Sequence, residues 1–389
     1  MKKAISIILV LVLAFAMFVP ANAKTSADKL QFNDDGTFRI MQIADIQDGP
    51  LLFEITRKFL DRVVPSAQPD LIVLTGDNIS AGASSVGIHG IDLLLVETAI
   101  DRYMSIFERY DVPVAVVFGN HDAEELVSKE EQMAMYQKYD NCVAIDEGDA
   151  VYGCGTYNVP IYSSKDSDKI TYNLWMIDSN MYDEANGGYD YVHKDQIDWY
   201  VQKSNELKAQ NGGVAVPSMM FQHIIVNEIY DALLEVSAGT DGAVEHNGKY
   251  YTLNPANTRK GVLHEAPCPG TVNGGQFDAV ANQGDVVAMF FGHDHVNSFE
   301  VEYKGVDLVN TPGVGFNSYG DEGRGVRVID IKEGTKAYTT NVITYKEFYG
   351  DDAAADAQFV LYGSEFEVVD RIGAFFKYVF LRVAKSFSF

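Results

Sequence analysis

Asp70-Leu71-Ile72-Val73-Leu74-Thr75-Gly76-Asp77 is a short apolar run that stops at a glycine followed by a carboxylate. Such a run, bounded by polar residues, suits a strand buried on both faces. The same layout recurs on either side of it. Upstream, Phe38-Arg39-Ile40-Met41-Gln42-Ile43-Ala44 reads as a strand ending at Asp45, and residues 51–64 carry a helical period that should stop at Pro65. Downstream, residues 91–110 read as a second helix. Residues 114–118 form a third apolar strand, ending at Gly119-Asn120-His121-Asp122. Strand, helix, strand, helix, strand predicts parallel βαβ units with right-handed crossovers, hence an α/β fold. Open α/β sheets place their ligand sites at the C-terminal ends of strands, where each of these runs meets polar residues.

Further along, the pattern is more mixed. Residues 172–177 read as a strand ending at Asp178, which is a candidate for supporting the site or for a turn. Residues 193–210 read as a helix, and 216–222 as a strand ending at His223. Residues 286–291 read as a strand ending at Gly292-His293-Asp294-His295, with further strands at 298–303, 326–331 and 339–345. The Gly-, Asn-, Pro- and Thr-rich stretch 237–281 is long for a connection and reads as a lid or rim over a site.

Five polar clusters thus fall at strand ends: Asp45-Ile46-Gln47, Gly76-Asp77-Asn78, Gly119-Asn120-His121-Asp122, His223, and Gly292-His293-Asp294-His295. Each offers carboxylate oxygen, amide oxygen or imidazole nitrogen, the donors a divalent metal takes. Buried groups of this kind need partners or metals. In order and type, the five clusters resemble the signature of the calcineurin-like metallophosphoesterases over residues 38–328. The run His223-Ile224 with Glu228, the pairing of Glu265 with Asn273-Gly274-Gly275-Gln276-Phe277, and Gly292-His293-Asp294-His295-Val296-Asn297 are similar to its purple-acid-phosphatase-like branch.

The resemblance implies a four-layer α/β sandwich, two mixed β-sheets face to face with helices outside. It implies two divalent metal ions (Mn, Mg, Zn, Ca or Fe), with Asp77 bridging them. Asp45 and His295 would bind the first, with Gln47 as a further candidate ligand there, and Asn120, His223 and His293 the second. His121 would protonate the leaving oxygen, with Asp122 orienting its ring. The implied reaction is hydrolysis of a phosphate monoester or small diester by a metal-bridging hydroxide. Gln47 departs from the family pattern, which places His there. Gln47 either ligates through its amide oxygen, leaves the position to water, or marks a degenerate, inactive metal-binding protein. Ser80 stands where true purple acid phosphatases carry an iron-binding Tyr, so no purple colour is expected. Glu265, Asn273 and Phe277 are candidates for the substrate pocket, or belong to a solvated connection.

The formal net charge of −25 repels phosphate backbones and argues against a nucleic-acid polymer as partner. A small phosphate ester remains compatible, because local metal charge outweighs the mean field. Lys2 and Lys3, the apolar run 4–19 and Ala21-Asn22-Ala23 form a bacterial-type export signal over residues 1–23, with an uncleaved anchor as the alternative. The phosphoesterase domain is expected over residues 24–350, exported to the periplasm, cell surface or medium. Export allows disulfides, so Cys142 and Cys154 either close a small loop or stay free with Cys268. Residues 351–389 form a tail with an amphipathic helix, in which Arg371, Lys377, Arg382 and Lys385 accompany apolar residues at helical spacing. That helix either rests on a membrane surface, as a third reading with a phospholipid substrate would have it, or packs on the domain or a second subunit.

Overall fold

The structure is a computed structural model describing residues 29–124 and 126–387, so the proposed signal 1–23 lies outside the described residues. The central run Leu71–Thr75 is strand β2, fully buried, between β1 (Thr37–Ile43) and β3 (Val114–Val117). Both pairings are parallel, in register at Ile43↔Leu74 and Thr75↔Val117, so the three strands end side by side. Two antiparallel strands, β14 (Gly325–Lys332) and β15 (Tyr338–Thr344), extend this sheet beyond β1 to give the order β15-β14-β1-β2-β3.

The helix Glu54–Ala67 connects β1 to β2 and runs through Pro65 rather than stopping at it. Proline removes the bond to the carbonyl four residues earlier. That carbonyl, of Asp61, instead accepts from the Tyr110 hydroxyl at 2.9 Å. Gln68, in the left-handed region at φ 52°, ends the helix by donating its N–H to Val64.

The second sheet has seven strands in the order β10-β12-β13-β11-β6-β5-β4. They are β4 (Tyr157–Ser163), β5 (Asp166–Met176), β6 (Ser218–Phe221), β10 (Thr258–Lys260), β11 (Val286–Phe291), β12 (Glu300–Tyr303) and β13 (Val306–Asn310). Its strands alternate between two cores, as a period of two requires. Leu174, Met176, Met219, Phe221, Ala288 and Phe290 join the core shared with the first sheet. Trp175, Met220, Met289 and Phe291 face a second core with Trp199 and Tyr200 of helix Lys194–Gln210 and Phe277 of helix Gln276–Gln283. Two mixed sheets flanked by helices is the four-layer sandwich expected.

The stretch 237–281 is more structured than a bare connection. It contributes β8 (Val244–His246) and β9 (Lys249–Thr252), which pair with β7 (Leu234–Val236) in a small sheet, and also supplies β10 and the start of helix Gln276–Gln283. Cys142 and Cys154 are both buried and are not joined to each other, so the loop-closing disulfide does not form; Cys268 is exposed. From the tail, helix Ala353–Tyr362 sets Ala355 and Phe359 into the main core, with the Phe359 ring 5.5 Å from those of Phe316 and Tyr345.

Candidate metal centre

All five polar clusters converge where the two sheets meet. β1, β2 and β3 deliver Asp45, Asp77 and Asn120 from one sheet; β6 and β11 deliver His223, His293 and His295 from the other. The turns that carry them are tight. Asp45, Gln47, Asp77 and His293 take positive φ of 53°, 41°, 49° and 71°, an arrangement that costs about 1–3 kcal/mol each and clusters at functional sites. Gly119 has no room for a side chain: a Cβ there would lie 2.2 Å from Asp77 Oδ1 and 2.4 Å from its backbone nitrogen. The glycine therefore lets the third strand end against the Asp77 carboxylate.

Two groups of buried ligand atoms form around that carboxylate. Asp77, His223 and His293 make one, and Asp45, Asp77 and His295 the other, with all donor atoms in each group within 4.8 Å of one another. Asp77 belongs to both, as a bridging role requires. His223 Nε2 lies 3.2 Å from Asp77 Oδ2 and 3.2 Å from Asn120 Oδ1, and its Nδ1 is fixed on the Thr75 carbonyl at 2.9 Å. His295 Nε2 lies 3.3 Å from Asp45 Oδ1, and its Nδ1 is held at 3.0 Å by the Tyr319 carbonyl. Anchoring one ring nitrogen leaves the other free to point at a ligand. Asp45 Oδ1 is buried without a hydrogen bond. A buried carboxylate oxygen without a hydrogen bond is costly, and a cation would complete it; the donor set fits two divalent ions.

The electrostatics agree. Burial opposes charge on Asp77, but His223 and His121 outweigh it and hold the carboxyl below its usual range. Burial likewise opposes charge on His223, yet Asp77 lifts that imidazole to about 9. Burial and the neighbouring His223 push His293 well down. A divalent cation bound here would compete with any proton on His223.

His121 stands apart from the buried donors, with its side chain 41% exposed and Nε2 4.0 Å from Asp77 Oδ2. Its partner corrects the expectation for Asp122. The ring Nδ1 lies 2.8 Å from Glu124 Oε2, not on Asp122. Asp122 is buried and turned inward, accepting from the backbone N–H groups of Asn78 at 2.8 Å, Ile79 at 3.1 Å and Gly119 at 2.7 Å. Glu124 also accepts from the Tyr182 hydroxyl at 2.5 Å, and that hydroxyl accepts from Asn120 Nδ2 at 3.2 Å. Sequence reading passed over Glu124 and Tyr182. Glu124 left one signal, a carboxylate three residues after the candidate acid.

The family model for calcineurin-like phosphoesterase matches residues 38–297, which hold every one of these clusters. The chain belongs to the calcineurin-like phosphoesterase family. Among curated relatives, "Probable inactive purple acid phosphatase 28" of Arabidopsis thaliana is 30% identical over 78% of each chain. "Probable inactive purple acid phosphatase 29" of the same plant is 28% identical over 82% of this chain and 83% of its own. "Phosphatase DCR2" of Saccharomyces cerevisiae is 26% identical over 71% of this chain and 47% of its own. These similarities place this calcineurin-like phosphoesterase with the purple-acid-phosphatase-like branch.

Within that family frame, Gln47 is the departure. Its amide nitrogen donates to Asp77 Oδ2 at 2.8 Å, so the side chain is at the centre and bonded to the shared carboxylate. The other candidates are engaged with neighbouring groups. Glu265 accepts from Val296 N at 3.0 Å and from the Tyr319 hydroxyl at 2.9 Å, bracing the loop that carries His295. Asn273 donates to Glu228 at 2.8 Å, and Phe277 is fully buried in the second core. Asp178 lies outside the centre, in a buried ion pair with Lys129 at 2.8 Å.

Proposed function

We propose that this phosphoesterase-family chain is an active two-cation enzyme that hydrolyses a phosphate monoester or small diester, and that it is exported after removal of residues 1–23. The observation that carries the reading is the half-exposed His121 ring, 4.0 Å from the carboxylate shared by both ligand groups. A purely structural metal site has no use for an accessible acid beside it. In this reading Asp45, Asp77 and His295, with Gln47 adjacent, hold one ion, and Asp77, Asn120, His223 and His293 hold the other. Two bound cations supply positive charge against the phosphoryl group and lower the pKa of water. Glu124 fixes the His121 ring through Nδ1, which leaves Nε2 directed at the centre. His121 delivers a proton to the leaving oxygen from there, a contribution of about 10²–10⁴-fold.

The second reading is a metal-binding protein that no longer turns over substrate. Gln47 and the "probable inactive" names of two relatives favour it. One experiment separates the two. The chain is stripped of metal, reloaded separately with Mn²⁺, Mg²⁺, Zn²⁺, Ca²⁺ or iron, and offered p-nitrophenyl phosphate and bis-p-nitrophenyl phosphate. The active reading expects turnover with at least one ion. It also expects turnover to fall by about 10²–10⁴-fold in His121→Ala at unchanged metal content. Asp77→Ala should lose the metal as well as the activity. Folded, metal-replete protein that cleaves neither ester would move the chain to the second reading.

A further inference from the structure

The helix Val368–Phe387 is bound on one side and bare on the other. Its inner side meets helix Ala353–Tyr362: Ala374 is buried, Arg371 Nε donates to the Leu361 carbonyl at 3.0 Å, and Lys377 pairs with Asp356 at 2.9 Å. On its outer side, Val368, Val369, Ile372, Phe375, Phe376, Val379, Phe380 and Val383 are each between 41% and 73% exposed. At the helical period these eight form one continuous stripe, about 140° wide. The same period puts Arg371 and Arg382 along one edge of the stripe, while Lys377 turns toward Asp356. Isolated exposed apolar residues need no explanation, but a stripe of eight rimmed by cations does.

The charge says what covers it. The whole chain carries −25, yet this helix has four basic residues against the single Asp370. A second copy would bring two cationic rims and two acidic bodies together. An anionic lipid surface instead meets the cations with phosphates and the stripe with acyl chains. The acidic body weakens this little, since charges beyond about 8 Å are largely screened at physiological salt. No described helix is long and apolar enough to cross a membrane, so the geometry is one of lying on the surface. A shallow groove of about 450 Å³ within the stripe, lined by Val368, Ile372, Phe375 and Phe376 with Leu361 and Arg371, gives room for an acyl chain.

We propose that the helix Val368–Phe387 rests on an anionic phospholipid surface, with its apolar stripe among the acyl chains and Arg371 and Arg382 at the level of the phosphates. The proposal stands independently of phosphoesterase activity. The test uses the chain from Lys24, so that the apolar run 4–19 contributes nothing, in cosedimentation with vesicles of phosphatidylcholine alone or mixed with phosphatidylglycerol. Anionic vesicles should bind on the order of a hundredfold more tightly than neutral ones, and the preference should fade with added salt. The double variant Phe376→Ser, Phe380→Ser changes only exposed side chains and should fold as the parent. It should lose binding by roughly a hundredfold. Parent protein that stays in the supernatant with both vesicles would overturn the proposal, as would binding that the double variant leaves unchanged. A vesicle-indifferent dimer that the double variant converts to monomer would also overturn it, and would assign the stripe to a second copy.

Discussion

Asp122 and Glu124 flank Ala123 and face opposite ways, one into the backbone and the other onto an imidazole. Asp122 accepts three backbone N–H groups from the turns that carry Asp77 and Asn120. Removing it strands those donors, each at about 1–3 kcal/mol. Asp122→Ala is therefore expected to lower folding stability by roughly 3 kcal/mol or more, read by chemical denaturation. Glu124→Ala removes a 2.8 Å contact from the half-exposed His121 ring and should leave the denaturation midpoint where it was. Its cost falls on kcat, about 10–100-fold, because a mispositioned acid loses its approach to the leaving oxygen. An Asp122→Ala protein of full stability but poor turnover would return the ring-orienting role to Asp122. The candidate donors were readable from sequence because Asp45, Asp77, His223, His293 and His295 each follow an apolar strand. The direction in which Asp122 points was not, since the donors it serves lie 44 and 43 residues away at Asn78 and Ile79.

At the level of elements, the parallel β1–β2–β3 unit was legible because buried strands and amphipathic helices have different periods. Pro65 misled because its orphaned carbonyl at Asp61 finds a partner only in three dimensions, at Tyr110. The stretch 237–281 misled because its strands are three or four residues long and too short to show alternation. Nor did sequence hint at how the sheets are joined. Gln42, fully buried in β1, donates to the Phe291 carbonyl at 3.1 Å in the opposite sheet and accepts from Thr311 at 2.6 Å. Arg327 in β14 continues this bridge, donating to Thr311 at 2.8 Å, to the Asn310 carbonyl at 2.7 Å and to Glu300 in β12 at 2.8 Å. Breaking such a buried pair from the Arg327 side leaves Glu300 with the more distant and half-exposed Lys260, at 3.4 Å. Arg327→Met should therefore cost about 3–5 kcal/mol in denaturant unfolding, and the double variant with Glu300→Gln should recover part of it. Additive losses in the double variant would mean that the two side chains act separately.

Taken as a whole molecule, the centre belongs to neither sheet. Asp45 and Asp77 come from the five-stranded sheet, and His223, His293 and His295 from the seven-stranded one, so each candidate ligand group draws from both. Any cation held by Asp77, His223 and His293, or by Asp45, Asp77 and His295, must clamp the sheets together at their strand ends. A ligand that binds only the folded state stabilises it by mass action, about 2.7 kcal/mol at a hundred times its Kd. Chelation of the loaded protein should accordingly lower Tm by several degrees, and re-addition should restore it. The stronger test is where protection is lost. Hydrogen exchange should rise on chelation at the loops after β1, β2, β6 and β11 together, because these all converge on one site. Exchange should change little at β15 and β4, the far edges of the two sheets. A rise confined to one sheet would show that its donors bind alone, and the two-sheet clamp would then be wrong even if the chain binds metal.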